Sequence, residues 1–302
     1  MGERRTVYWH LPGLCYFRLL NQMVINLMRD YADCFREGYQ IGSVYGTIPG
    51  AIWNGGRAVF GILDRESIVS IIKAYNDRGI PARFTWTNAL LEERHLYDTY
   101  CNLIMELGDN GMNQVLVNRP VIEQYIRREY PSYALISSTT KCIVDRKMLC
   151  RELEKDYKLV VLDYDLNHDR ETLKAIASYA DKVEILVDEI CYPNCPKRAE
   201  HYHDESRMQL AYTMQSDFKC TNKFTKPSFA ESQKRPAFIS NEEIQWYIDR
   251  GFVNFKLVGR GLPIEFVRDS YLYFLVKDDA RAFIQEKVDR FMEEVAKKSK
   301  RN

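Results

Sequence analysis

Short apolar runs and longer amphipathic stretches alternate along this chain. Runs rich in β-branched and aromatic residues, bounded by turn formers, predict strands at residues 6–10, 40–45, 82–87, 114–117, 133–137, 159–163, 183–187 and 253–257. Between them, apolar positions recur at helical spacing over residues 17–35, 65–78, 91–107, 120–130, 145–157, 170–180 and 241–249, and a charged amphipathic stretch at 278–298 closes the pattern. Eight strands, each followed by a helix, are what a (β/α)8 TIM barrel of the α/β class requires in about 250 residues or more. An open, doubly wound parallel sheet is the competing arrangement, because strand count alone does not prove closure.

One connection departs from the rhythm. From residue 188 to 240 no clear amphipathic helix is visible, only a polar segment with three cysteines, two histidines and several aromatics. Connections of more than about 15 residues inside a compact domain are usually functional. The expected organisation is a single TIM-barrel domain over residues 1–302, an insertion after strand seven at 188–240, and a C-terminal helix and tail at 278–302. An insertion after strand seven lies on the C-terminal face, where barrel enzymes place their chemistry.

Composition narrows the function classes. Lys+Arg at 43 against Asp+Glu at 42 leave a net charge of +1, which speaks against a broad nucleic-acid-binding surface. No apolar stretch approaches the ~20 residues that cross a bilayer, and the start has no secretory leader, although Gly2 and Thr6 fit a loose myristoylation pattern. Eight cysteines at irregular spacing fit a reducing cytoplasm, where thiols stay unoxidised or bind metal.

Cys191-Tyr192-Pro193-Asn194-Cys195-Pro196, with Cys220 downstream, carries the strongest chemical signal. Two cysteines four apart on a tight turn can aim both sulfurs at one ion or cluster, and Cys-Pro recurs in iron–sulfur ligand runs. An iron–sulfur cluster, of the 4Fe-4S type, is the expected cofactor; zinc is the alternative, with His201 or His203 completing its four ligands. Cys15, at the end of strand one, is the expected fourth cluster ligand, with Cys142, a histidine, substrate or solvent as competitors. Cys34, Cys101 and Cys150 fall away from the catalytic face and read as packing thiols.

The run from Val187 to Arg198, containing Asp188, Glu189 and the Cys-x3-Cys-Pro turn, and the run Gly251 to Arg260, containing Phe255-Lys256-Leu257-Val258-Gly259-Arg260, resemble the collagenase-like U-thirty-two peptidase family. The segment Val160 to Asp169 is similar to that family's sixth strand and turn. The resemblance implies a barrel with iron–sulfur members that carry out oxygen-independent hydroxylation of ubiquinone precursors and RNA. It departs from those members in having no cysteine after strand two. The family's peptidase label has no support in a Gly-x-Ser-x-Gly or His-Glu-x-x-His motif and stays an outside alternative.

Strand ends supply the remaining candidates. Glu189, Asp188 and Arg260 are expected to be catalytic, with the carboxylates as base or ligand-steering groups. Arg57, Trp53, Asn88 and Asn118 are the candidates for substrate binding, with capping and turn formation the competing and favoured role for the two asparagines; Arg57 and Trp53 sit in a Gly-rich segment, residues 46–57, that reads either as a lid or as a packing loop. The expected partners are a small-molecule substrate and a second copy or a related barrel subunit; the electron donor is not legible. A non-catalytic cluster scaffold or electron carrier is the second function class, and a mouth plugged by Trp and Phe would favour it.

Overall fold

In the computed structural model, which describes residues 5–220 and 227–299, the eight expected strands are all present and close into a barrel. They are β1 (Val7–Pro12), β2 (Tyr39–Gly46), β3 (Ala82–Trp86), β4 (Gln114–Val117), β5 (Ala134–Ser137), β6 (Leu159–Val161), β7 (Val183–Leu186) and β8 (Asn254–Lys256). Each pairs in parallel with the next, and β8 pairs with β1 through Tyr8–Asn254, Trp9–Phe255 and His10–Lys256, which removes the open-sheet arrangement. Gly2, residues 221–226 of the insertion and the tail beyond 299 lie outside the described residues.

Alternation along the strands sorts side chains into two environments. Trp9, Phe84, Trp86, Val115, Val117, Leu135, Val160, Ile185 and Phe255 join the large core shared with the helices. Tyr45, Leu116, Ile136, Leu159 and Val161 form a separate apolar cluster inside the barrel. The β1–β2 register shifts between Trp9 and His10; opposite that step sits Gly42, where a Cβ would meet the His10 ring at 2.8 Å.

The helices are α1 (Arg18–Asp30), α2 (Arg65–Asn76), α3 (Thr99–Leu107), α4 (Pro120–Glu129), α5 (Arg146–Glu154), α6 (Arg170–Ala175), α7 (Arg198–Ala211), α8 (Phe229–Ser232), α9 (Asn241–Asp249), α10 (Ile264–Leu275) and α11 (Arg281–Ser299). Several expected stretches break where caps intervene. The 91–107 pattern is a 3-10 turn, Glu93–Tyr97, followed by α3, because the Asp98 side chain accepts from Cys101 N and restarts the helix. Likewise 17–35 divides into α1 and the 3-10 turn Ala32–Cys34.

Three helices were not expected: α7 and the short α8 in the insertion, and α10 after β8. The 14-residue α7 lies in the polar insertion and buries Asp204, Ser206 and Gln209, so it has no apolar stripe to reveal it. The opposite holds for α10, which buries seven of its residues and is apolar on most of its circumference. Among the described residues no helix is long and apolar enough to cross a membrane.

Candidate functional site

The strand ends and the insertion enclose a cavity of about 190 Å³ at the C-terminal mouth. Its floor is set by inward residues of the strands: Tyr45, Thr85, Leu116, Leu186 and Lys256. Its walls come from the loops after the strands, including Thr87, Thr139, Glu189, Arg57 and Arg260, and its rim from the insertion, with Cys191, Cys195, His201, Tyr202, Phe218 and Cys220. Among the described residues no tryptophan lines it, and Phe218 is the one phenylalanine, stacked on His201 at 4.5 Å.

The Gly-rich segment after β2 packs rather than hangs open. Trp53 is fully buried, its indole donates to His95 O at 2.7 Å, and it meets Trp86 and Tyr125 edge-on. Gly55 lies so close to β3 that a Cβ would sit 2.1 Å from the Thr87 carbonyl, and Arg260 donates to Gly55 O at 2.5 Å. The next residues run along α7: Glu205 accepts from Ala58 N, Gln209 bridges Val59 N and O, and Tyr212 bridges Gly61 N and O. Thus the polar face of α7 is a backbone-binding face. Gly55→Ala is expected to cost about 1–3 kcal/mol through backbone overlap, read as a lower urea midpoint; an unchanged midpoint would show that the turn yields freely.

Positive charge concentrates at this mouth. Arg57 reaches Gly56 O, His201 Nε2 at 3.3 Å and Glu205 at 3.6 Å. Arg198 is neutralised by Asp163 and Asp165, at 2.8 and 3.2 Å, and stands over the Tyr164 ring. On the facing wall, the hydroxyls of Thr85, Thr87 and Thr139 are buried without a hydrogen-bond partner. A buried hydroxyl without a partner costs about 1–3 kcal/mol, and all three belong to residues that line the cavity.

Cys191, Cys195 and Cys220 all border the cavity. Asn194 adopts φ +57, a left-handed conformation that asparagine tolerates better than most residues, and this folds the Tyr192–Asn194 turn back on itself. Glu189 Oε1 accepts from the backbone N–H of Ile190 and Cys191, fixing the start of the turn. Burial, aided by the Glu189 charge, pushes the Cys191 thiol up to about 12. Among the described residues no three His, Cys, Asp or Glu side chains stand together at ion-holding distance.

The other sequence candidates stand elsewhere. Cys15 packs against the core near Tyr75 and Tyr100, is pushed up to about 12 by burial, and does not line the cavity. Asn88 is fully buried and clamps loops, donating to Ile52 O and Ser206 O and accepting from Leu90 N. Asn118 donates to Thr140 Oγ1 and is not on the lining. Asp188 is fully buried, accepting from Val258 N at 2.8 Å and Ser270 Oγ at 2.7 Å, which ties the end of β7 to β8 and α10. Of the expected site residues, the structure gathers Arg57, Glu189, Arg260, Cys191, Cys195 and Cys220.

Beneath the floor lies an ionic network that strand patterning left unnoticed. Glu184, on β7, meets Arg83 of β3 at 2.5 Å and Lys256 of β8 at 3.1 Å. Gln114 accepts from Arg83 Nε, and His10 accepts from Arg83 at Nδ1 while pairing with Ser43 and Asn254. Burial lowers the His10 pKa to about 3, so its 3.5 Å approach to Glu184 joins a neutral ring to a carboxylate. Burial works against the Glu184 charge, but the Arg83 and Lys256 cations outweigh it and hold the carboxyl well below its usual range. Lys256 is lowered to about 8, by burial first and by Arg83 and Arg260 next, against the pull of Glu184.

No protein-family model and no curated protein matches the chain. A solved structure does. It is titled "The Structure of the U32 Peptidase Mk0906", and it superposes with a TM-score of 0.54 over 87% of this chain and 96% of its own, at 15% sequence identity. At that identity the likeness is one of fold: a closed eight-stranded parallel barrel with helices outside.

Proposed function

We propose that this chain is an enzyme of the U-thirty-two peptidase-like group that holds an iron–sulfur cluster at its barrel mouth. Its substrate is a small anionic or aromatic molecule, and its reaction is oxygen-independent hydroxylation or a related redox or hydration step. One observation carries the reading: three thiols and two arginines line a single cavity at the C-terminal ends of the strands. The fold likeness to a U32 peptidase supports the family, and a mouth without tryptophan supports an enzyme over a plugged scaffold.

The residue types are those of a thiolate-bound cluster, and holding one requires the three thiols to draw closer together than they stand. Cys191, Cys195 and Cys220 are soft ligands on the insertion, and the cations Arg57, Lys197 and Arg260 on the same cavity offset thiolate charge. Metal binding requires that the Cys191 thiol lose the proton that burial and Glu189 now hold on it. When bound, such a cluster supplies electron transfer or a Lewis-acidic iron. The chain's own groups bind and orient. Arg57 and Arg260 receive the anionic part of the substrate with their guanidinium forks, Thr85, Thr87 and Thr139 supply hydroxyls, and Glu189 places a carboxylate beside the cysteine turn.

Anaerobic purification with iron, sulfide and zinc analysis, together with ultraviolet–visible and electron paramagnetic resonance spectra, tests the reading. The expected result is a brown protein whose thiolate-to-iron absorption bleaches with dithionite. Serine at Cys191, Cys195 or Cys220 should abolish that absorption, while serine at Cys34, Cys101 or Cys150 should leave it. Serine at Cys15 decides whether that thiol moves to complete the set. Stoichiometric zinc without iron, from cells with ample iron, would replace the cluster by the zinc alternative. Proteolysis has only the neighbour's title in its favour, since His201 is engaged by Arg57 and Glu205 and stacks on Phe218.

A further inference from the structure

We propose that Lys256 is an amine nucleophile that captures the carbonyl carbon of a small 2-oxo acid, whose carboxylate Arg260 receives. The inference rests on the mouth being the substrate site and adds to it a covalent residue and a substrate class.

Lys256 is 5% exposed, yet it lines the cavity from the barrel floor. The groups facing it come from five strands and one loop. They are His10 on β1, Tyr45 on β2, Arg83 on β3, Glu184 on β7, Asn254 on β8 and Arg260 beyond it. His10 is neutral, and the Tyr45 hydroxyl is committed to Leu257 O at 2.6 Å while its ring lies 3.9 Å beneath Nζ. That leaves one carboxylate, Glu184, between two cations, Arg83 and Lys256. Arginine does not give up its proton in proteins, whereas a desolvated lysine does. The charge excess is therefore relieved at Lys256, and its lowered pKa agrees. A desolvated amine is the form of lysine that attacks carbonyls.

The same cavity holds the complementary groups. Arg260 offers its guanidinium for a carboxylate, and the partnerless hydroxyls of Thr85 and Thr87 offer hydrogen bonds to an oxygen on the carbon under attack. In the step, the Nζ lone pair of the neutral amine forms the C–N bond as the C=O π bond breaks, and one amine proton passes to the oxygen to give a carbinolamine. The second nitrogen proton then passes to that hydroxyl, which leaves as water as the C=N bond forms, so both amine protons leave in one water and no oxidant or reductant is consumed.

The test is reductive trapping with two probes of similar size, glyoxylate and acetaldehyde, each with cyanoborohydride at pH 7.5, followed by peptide mapping. Glyoxylate is expected to carboxymethylate Lys256 roughly 10- to 100-fold faster than exposed lysines, because far more of its amine is unprotonated at that pH. Acetaldehyde should show a weaker preference, since it gives Arg260 nothing to hold. Lys256→Met should lose this adduct and still fold, because it leaves the Arg83–Glu184 pair balanced; if it does not fold, the wild-type map decides alone. Modification of Lys256 no faster than exposed lysines overturns the proposal, and the cysteine spectra then report separately on the mouth as a cofactor site. Equal preference for Lys256 with both probes overturns the acid half of the assignment and counts against the anionic-substrate reading itself.

Discussion

Glu184→Gln is expected to destabilise the fold by about 3–5 kcal/mol at pH 7, the range seen when one partner of a buried ion pair is removed. Glutamine keeps the shape and can still accept from Arg83, so the loss is electrostatic rather than steric. It leaves the Arg83 charge fully buried and uncompensated, beside a lysine that can shed only its own proton. Urea unfolding measures the loss directly. Combining Glu184→Gln with Lys256→Met should cost less than the two single changes added together, because in the double variant one buried cation is gone along with its counterion. A loss below about 1 kcal/mol would mean that water reaches the barrel interior and screens the network.

Much of this architecture was legible in the chain, and for a physical reason. Strands buried on both faces need near-continuous apolar runs, and helices outside a barrel need a one-sided stripe; both leave a periodic trace. The trace fails where a helix is buried on most sides, as in α10, or where a helix binds backbone through polar side chains, as in α7. Within the site, the cysteine turn and both arginines could be read because their residue types stand out next to strand ends. For Trp53 and Asn88 the structural alternative holds, because aromatic and amide groups at strand ends also pin loops: Trp53 anchors the segment after β2 and Asn88 ties it to α7. Arg83, Glu184 and Lys256 were hidden inside runs read as strands. Counting by twos would have turned Arg83 and Thr85, Glu184 and Leu186, and Asn254 and Lys256 onto one face, and charges on the inner face of a barrel are a signal of their own.

Asp188 gives the clearest pH test. Burial raises its carboxyl to about 7, against hydrogen bonds from Val258 N and Ser270 Oγ that favour the charged form. A carboxyl raised on folding binds its proton more tightly in the native state than in the unfolded chain, where it titrates near ~4. Stability from this group is therefore full below about pH 4 and declines as pH rises towards about 7. The ceiling on that decline is on the order of 4 kcal/mol, from roughly three pH units at ~1.4 kcal/mol each. Asparagine is isosteric with the protonated acid: its oxygen can accept from Val258 N and its amide can donate to Ser270 Oγ. Asp188→Asn is thus expected to match the wild type at pH 4, to lose the decline between pH 4 and 7, and to be the more stable protein at pH 8. Urea unfolding across that range is the measurement. If Asp188→Asn is instead the less stable protein at pH 8, the two hydrogen bonds suffice to keep the carboxylate charged, and Asp188 is an ionised anchor between β7, β8 and α10.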